Sequence, residues 1–251
     1  MRNTAAAAGL NLSDFEIIPC VEADKICALA VQLISTGKAD FLIKGMVDTK
    51  IYMHALLNKE AGLVQPGGLL SHFVLFETPR YQKPFAISDS AVMINPTIEQ
   101  KIRIINNAAS TMRSLGVETP KVSLVCPVEK PNAKIKSTTD AQEIVRRAAL
   151  GEIKDAVVEG PYDVYITFSR QRALEKGITG GAVPGEVDIA IFDDLDAANS
   201  VYKAISFFGE KTNTAAVVVG AKIPVVLPSR TDTPITKLNS IALASLLKEH
   251  L

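Results

Sequence analysis

Short apolar runs, rich in β-branched residues, alternate along this chain with longer stretches of helical spacing. Eight runs are predicted as strands: 41–43, 73–76, 85–88, 122–126, 156–159, 189–192, 215–219 and 224–227. Most are continuously apolar rather than alternating, which is the pattern of strands covered by helices on both faces. The second and third lie close together with no helical stretch between them, so they are expected to pair as a hairpin or an antiparallel edge.

The helical stretches carry recognisable ends. Asn95-Pro96 is expected to open one, with the proline at the first helical position and Gly116 after the last turn. Thr139 with Gln142 forms a capping-box pattern ahead of Ile144, Val145 and Leu150, and Gly151 closes that helix. Asp194 opens a helix running to Phe208, with Gly209 as its stop. Thr233-Pro234 opens the last, whose Leu238, Ile241, Ala242 and Leu246 fall on one stripe. Strand–helix alternation of this kind predicts an α/β fold with mostly parallel strands, expected here as two sheets. The stretch from Val64 to Gly68 is the candidate crossing between two lobes.

Composition narrows the function classes. A chain of 251 residues can bury a sizeable core. Lys plus Arg and Asp plus Glu both total 27, so no bulk field draws the protein to nucleic acid or an anionic membrane. An anion site must be local. Cys20, Cys27 and Cys126 are scattered without a CxxC, and His54, His72 and His250 form no zinc pattern. The run from Met1 to Leu12 lacks an apolar leader core, and no stretch approaches a membrane span, so the expected location is the cytoplasm.

Three strand-to-helix junctions carry candidate chemistry. In 224–237, PVVLPSRTDTPITK, a buried strand ends, Ser229, Arg230, Thr231 and Asp232 follow, and a helix begins. Ligands in open α/β sheets bind beyond strand carboxyl ends, and a helix start with an arginine fork beside it suits a phosphate or carboxylate. Asp232 can take a proton there or simply orient Arg230; equally, these are ordinary capping residues beside a solvated arginine. In 192–203, FDDLDAANSVYK, Asn199, Tyr202 and Lys203 lie three or four residues apart and can share a helix face. The bland alternative is a capped surface helix. Lys44-Gly45 followed by Asp48-Thr49 repeats the junction, as does any routine turn. Ser88-Asp89-Ser90 ends another strand, and Ser71-His72 opens one. The absence of GxxxxGK[ST], GxSxG and a strand-borne GxGxxG gives no support to a P-loop, a serine-hydrolase elbow or a dinucleotide site.

Seven stretches, in order, resemble the phosphate acetyl/butyryl transferase family: KADFLIKGMVDT (38–49), LLNKEAGL (56–63), LLSHFVLFETP (69–79), INPTIEQKIRIINNAA (94–109), TTDAQEIVRRAALG (138–151), VDIAIFDDLDAANSVYKAISFF (187–208) and VVVGAKIPVVLPSRTDTPITKLNSIALA (217–244). The LLNKE and SHF segments and the SR-x-D spacing are more similar to the butyryl branch. The resemblance implies two α/β lobes of the isocitrate/isopropylmalate dehydrogenase type with the active site in the cleft. The first lobe would comprise 1–66 with 222–251, lacking a strand–helix–strand unit that the family carries ahead of the point matching Arg2, and the second 67–221. It implies acyl-CoA plus phosphate giving acyl phosphate plus CoA, with CoA as co-substrate, no metal and no tightly bound cofactor. Partners would be acyl-CoA and inorganic phosphate, not nucleic acid or membrane, in a homo-oligomer.

By the same resemblance Ser229 and Arg230 match the family's serine–arginine pair, which holds the acyl carbonyl and the phosphate or CoA. Asn199, Tyr202 and Lys203 match its N-x-x-Y-K motif at the cleft, while Lys44 and Thr49 belong to the first junction. Two positions depart from the acetyl branch. Thr236 stands where that branch has an aspartate for the thiol proton, leaving Asp232 as nearest carboxylate, and His54 stands where a phosphate-binding arginine is usual. The function implied is a reversible phosphate acyltransferase preferring a butyryl-like group to acetyl. Its alternative is a non-catalytic or weakly active member that binds CoA or acyl phosphate. A metal-dependent dehydrogenase on the same fold is disfavoured by the lack of an aspartate trio.

Overall fold

The computed structural model describes residues 2–229 and 231–249. In chain order it holds α1 (Arg2–Ala7), α2 (Ala23–Ser35), β1 (Leu42–Ile43), α3 (Thr49–Leu56), β2 (Ser71–Glu77), β3 (Phe85–Ser88), α4 (Ile98–Ser114), β4 (Lys121–Val125), α5 (Lys136–Ala149), β5 (Val157–Tyr162), α6 (Val164–Phe168), α7 (Arg170–Glu175), β6 (Ile189–Ile191), α8 (Leu195–Phe208), β7 (Asn213–Val219), β8 (Val225–Val226) and α9 (Pro234–Lys248). All eight predicted strands are present, and the hairpin prediction holds, with β2 and β3 antiparallel. No helix among the described residues is long and apolar enough to cross a membrane.

Instead of two sheets, one ladder joins all eight strands in the order β1-β8-β7-β2-β3-β6-β4-β5. Four junctions are parallel and three, those of β2 and of β7 with β8, are antiparallel. The link between β7 and β8 is the single pair Val218↔Val225, a corner that strand periodicity gives no way to foresee. Both faces are covered. Phe73, Ala86, Val122, Ile189 and Val217 pack under α4, α5 and α9. The alternate residues Val74, Phe76, Ile87, Ala190 and Ala216 pack under α8. A third cluster gathers Val31 of α2, Tyr52 and Leu56 of α3, Leu42, Leu70, Val218 and Val225.

Helix ends follow capping chemistry. Asp194 caps α8 and Gly209 ends it, and Thr233 caps α9 with Pro234 at its first position, all as the sequence predicts. At α4 the proline is displaced: Thr97 is the cap and Pro96 precedes it, because Thr97 and Gln100 form the reciprocal box. That pair holds two helix-start groups at once, which a proline cannot do. At α5 the helix starts at Lys136, ahead of Thr139, whose hydroxyl donates to the Lys136 carbonyl at 2.9 Å. Thr138 closes the preceding loop, accepting from Asn132 N and donating to the Ile135 carbonyl. In α9 the buried face is Ser240, Leu243, Ala244 and Leu247, leaving Leu238 and Leu246 more than half exposed. This helix is apolar on more than one side, so β7 decides. Ser240 is tolerated inside because its Oγ accepts Ala216 N and donates to the Thr236 carbonyl.

Two features pin the arrangement around the cleft. Gly220, at the turn between β7 and β8, has φ +93°, and a Cβ there would stand 2.1 Å from the Leu69 carbonyl oxygen and 2.6 Å from Asn107 Nδ2. Lys101 of α4, 3 % exposed, donates to Asp140 of α5 at 2.8 Å and also to Asp193 after β6, while Asp140 takes Lys136 as well. The cluster clamps two helix starts to the β6–α8 turn. Gly220→Ala is expected to destabilise by about 3 kcal/mol through strain and overlap, seen as a lower denaturant midpoint. Lys101→Met, which strands buried carboxylates, should cost about 3 kcal/mol by the same measurement. Lys136→Met, at an exposed ammonium, should cost under about 1 kcal/mol.

Candidate active site

β1 and β8 run parallel, so the segments leaving them emerge at the same end, and Lys44 N donates to the Val226 carbonyl at 3.0 Å. Lys44 is half-buried and its Nζ reaches the Gly45 carbonyl at 3.4 Å. Two residues beyond Leu227, Ser229 stands exposed at the head of a tight loop. Asp232 organises that loop: its Oδ2 accepts Ser229 N at 2.7 Å, and its own N donates to the Ser229 carbonyl at 3.3 Å. Ser229 Oγ lies 3.0 Å from Thr231 Oγ1. Arg230 lies outside the described residues. Thr236 does not face a ligand position with its hydroxyl, which pairs with Thr233 Oγ1 at 3.0 Å within the helix cap.

α8 carries the second group of candidate residues. The Asp194 carboxylate accepts Ala197 N at 2.9 Å, which fixes the helix start. Asn199 and Tyr202 then turn half-buried toward the sheet, while Lys203, one residue on, is exposed. Asn199 Nδ2 donates to the Ser90 carbonyl at 2.8 Å. The Tyr202 ring sits 6.1 Å from that of His72 and 6.0 Å from that of Phe76. Burial, and then the Asp232 carboxylate, push the Tyr202 phenol up to about 12, so it is a donor at neutral pH. Hydrogen bonds join Ser229 to Asp232, and Asn199 to the Ser90 carbonyl, while the β1–β8 pair brings Lys44 to the same end of the sheet as the segment leading to Ser229. Thr49 and His54 are both exposed on α3, and no hydrogen bond among the described residues ties them to α8 or to the 227–233 loop.

Two residues that the sequence offers only within Ser71-His72 and Ser88-Asp89-Ser90, without a role, prove to be tied together here. His72, 3 % exposed, bonds Ser90 Oγ through Nδ1 at 2.8 Å. Burial lowers its pKa to about 4, so the ring is neutral at physiological pH. Asp89, between Ser88 and Ser90, is buried too; its carboxylate accepts the amides of Ala91, Val92 and Met93, and desolvation raises its pKa against those bonds. The signal for the pair was present in the predicted hairpin. With Val74 opposite Ile87, the start of β2 must lie beside the segment leaving β3. Adjacency in sequence suggested nothing, because the partners are 18 residues apart.

These residues offer a serine hydroxyl, a phenol, an amide and a neutral imidazole, together with Lys44, Lys203 and the Asp232 carboxylate. No group of three or more His, Cys, Asp or Glu among the described residues could hold a metal ion. Comparison with known proteins agrees with this inventory. Residues 15–245 match the model of the family described as phosphate acetyl/butaryl transferase. The chain is 39 % identical over 239 residues to the phosphate butyryltransferase of Clostridium acetobutylicum, covering 95 % of this chain and 78 % of that protein. It is 37 % identical over 230 residues to the phosphate acetyltransferase of Thermotoga maritima, covering 92 % and 77 %. A crystal structure of a branched-chain phosphotransacylase from Enterococcus faecalis V583 superposes with a TM-score of 0.86 at 30 % identity, over 94 % of this chain and 84 % of that one. A dinucleotide or metal chemistry has no support from such relatives, whereas an acyl and phosphate site does, and the chain belongs to the phosphate acetyl/butyryl transferase family.

Proposed function

We propose that this protein transfers a short acyl group between CoA and inorganic phosphate in either direction, with a butyryl-sized group preferred to acetyl. The observation that carries the reading is the junction at the start of α9, where Asp232 Oδ2 accepts Ser229 N at 2.7 Å. In the forward direction an oxygen of hydrogen phosphate attacks the thioester carbonyl, the carbon–sulfur bond breaks, and the CoA sulfur leaves as thiolate and takes up the proton that the phosphate gives up. Ser229 Oγ–H donates to the carbonyl oxygen as negative charge grows there. Arg230 holds the phosphate through its planar fork. Asp232 uses one oxygen on Ser229 N, which leaves the other for the thiol proton or for Arg230. Asn199, Tyr202, Lys203 and Lys44 bind CoA or phosphate along the cleft, and Thr49 and His54 extend the phosphate side from α3. The cleft runs between a lobe of 1–66 with 222–251 and a lobe of 67–221. Within the first lobe Val31, Leu42 and Leu56 pack with Val225, and Leu70 and Val218 of the second lobe join the same cluster.

The butyryl preference is supported by the phosphate butyryltransferases of two Clostridium species at 39 % and 38 % identity and by the branched-chain phosphotransacylase. Thiol release from acetyl-, propionyl- and butyryl-CoA with phosphate tests it. The expected result is kcat/KM rising with chain length by about 1 kcal/mol per methylene. Turnover with none of the three sinks the reading, and CoA binding by calorimetry without turnover would mark a binding protein. Ser229→Ala should lower kcat about 100-fold or more if its hydroxyl meets the developing oxyanion. Arg230→Ala should cost about 2–4 kcal/mol in kcat/KM for phosphate. A tenfold or smaller change in both would remove this loop from the chemistry.

A further inference from the structure

His72, the second residue of β2 and part of the SHF segment, is almost wholly buried at 3 % exposure. Its backbone is in β2, paired with Val218 of β7. Val218 belongs to the cluster of α2, α3 and β1, while Val74, two residues along β2, belongs to the cluster under α8. His72 therefore stands where the two clusters meet. Side-chain alternation turns it to the α8 face, as it does Val74 and Phe76.

A ring that merely filled space here would be better apolar, because burying imidazole removes two polar nitrogens from water. The structure gives one of them a defined partner. Nδ1 bonds Ser90 Oγ at 2.8 Å, the Ser90 carbonyl takes Asn199 Nδ2 at 2.8 Å, and Ser88 Oγ returns to the His72 carbonyl at 2.9 Å. One turn after Asn199, Tyr202 lies against the imidazole and the Phe76 ring. The chain of contacts runs from a central strand, through the 88–93 turn, to the two α8 side chains Asn199 and Tyr202.

We propose that His72, held by Ser90, is a positioning residue of this active site that sets the placement of Asn199 and Tyr202 against the Ser229–Asp232 loop. It acts through α8, not on the reacting atoms. The inference rests on the acyltransfer reading for its activity readout.

His72→Phe keeps a planar ring of similar size and removes the Ser90 partner, and Ser90→Ala removes the same bond with little change in volume. Both are expected to lower kcat about 10- to 100-fold, the scale of a misplacement near 1 Å, with the KM for acyl-CoA changed less than threefold. The double variant should be no worse than the poorer single one. His72→Phe should cost under about threefold when added to Tyr202→Phe, since its effect passes through that side chain. Ser90→Thr, which retains a hydroxyl, should recover most of the loss. Melting temperatures run alongside, and activity is measured well below them.

Wild-type activity within about twofold in both His72→Phe and Ser90→Ala overturns the proposal. So does full multiplication of the His72 and Tyr202 effects, or a loss of activity that only tracks a loss of folded protein. Should the wild type turn over none of the acyl-CoA panel, the acyltransfer reading fails on its own, and the same variants are compared for CoA affinity by calorimetry. Weakened binding with the same non-additivity then upholds the positioning role, and unchanged binding, or none by the wild type, overturns it.

Discussion

β2 is the constraint on which the rest depends. It is hydrogen-bonded on both edges, to β3 and to β7, and is buried on both faces almost throughout. A strand in that position cannot slip by one residue without exchanging Phe73 for Val74, and so turning each helix layer's partners toward the other. It is also antiparallel to both neighbours in a sheet otherwise built largely from parallel pairs. Its start consequently lies beside the end of β3 and the end of β7, where a wholly parallel sheet would put strand starts together. His72, Ser90 and Gly220 are neighbours of that one end, and the cleft floor is a product of strand direction.

The walls depend on how helices are tied to this frame. α8 buries little of itself apart from Ala198, so its hold on the sheet is thin for a 14-residue helix. Its place is fixed at one end by Asp194 and by the Lys101–Asp193 pair, and in the middle by Asn199 on the Ser90 carbonyl. The 229–232 loop is tied instead to itself, through Asp232 on Ser229 N. The helix and the loop therefore carry separate restraints, and either can shift slightly without unmaking the other.

Legibility in the sequence followed the range of the interaction. Asp194, Gly209, Thr233 and Pro234 act on their own helix ends, and each end fell where its residue predicted. Continuous β-branched runs gave all eight strands because burial on both faces leaves no other composition. Pro96 misled because Thr97 and Gln100 form a better cap one residue on. The stripe of Leu238 and Leu246 misled because an apolar helix has no marked face until a sheet chooses one. Lys101 and Asp193, or His72 and Ser90, have no sequence spacing to betray them, since their contact exists only through the sheet order. The junctions at Ser229 and Asn199 were visible as strand-to-helix transitions, while the acyl and coenzyme chemistry came only from likeness to the family.

Where charge is absent is as informative as where it is placed. Lys203 is exposed and Lys44 half-buried, positions where an ammonium keeps its charge at little desolvation cost. The inner groups are neutral: burial keeps the His72 ring unprotonated, and burial with Asp232 keeps the Tyr202 phenol protonated. A buried cation at the floor would bind ground-state phosphate tightly and so deepen the well from which reaction must climb. Charge in this chain of zero net charge is thus graded, with the exposed Lys203 and half-buried Lys44 outside and the neutral His72 and Tyr202 inside.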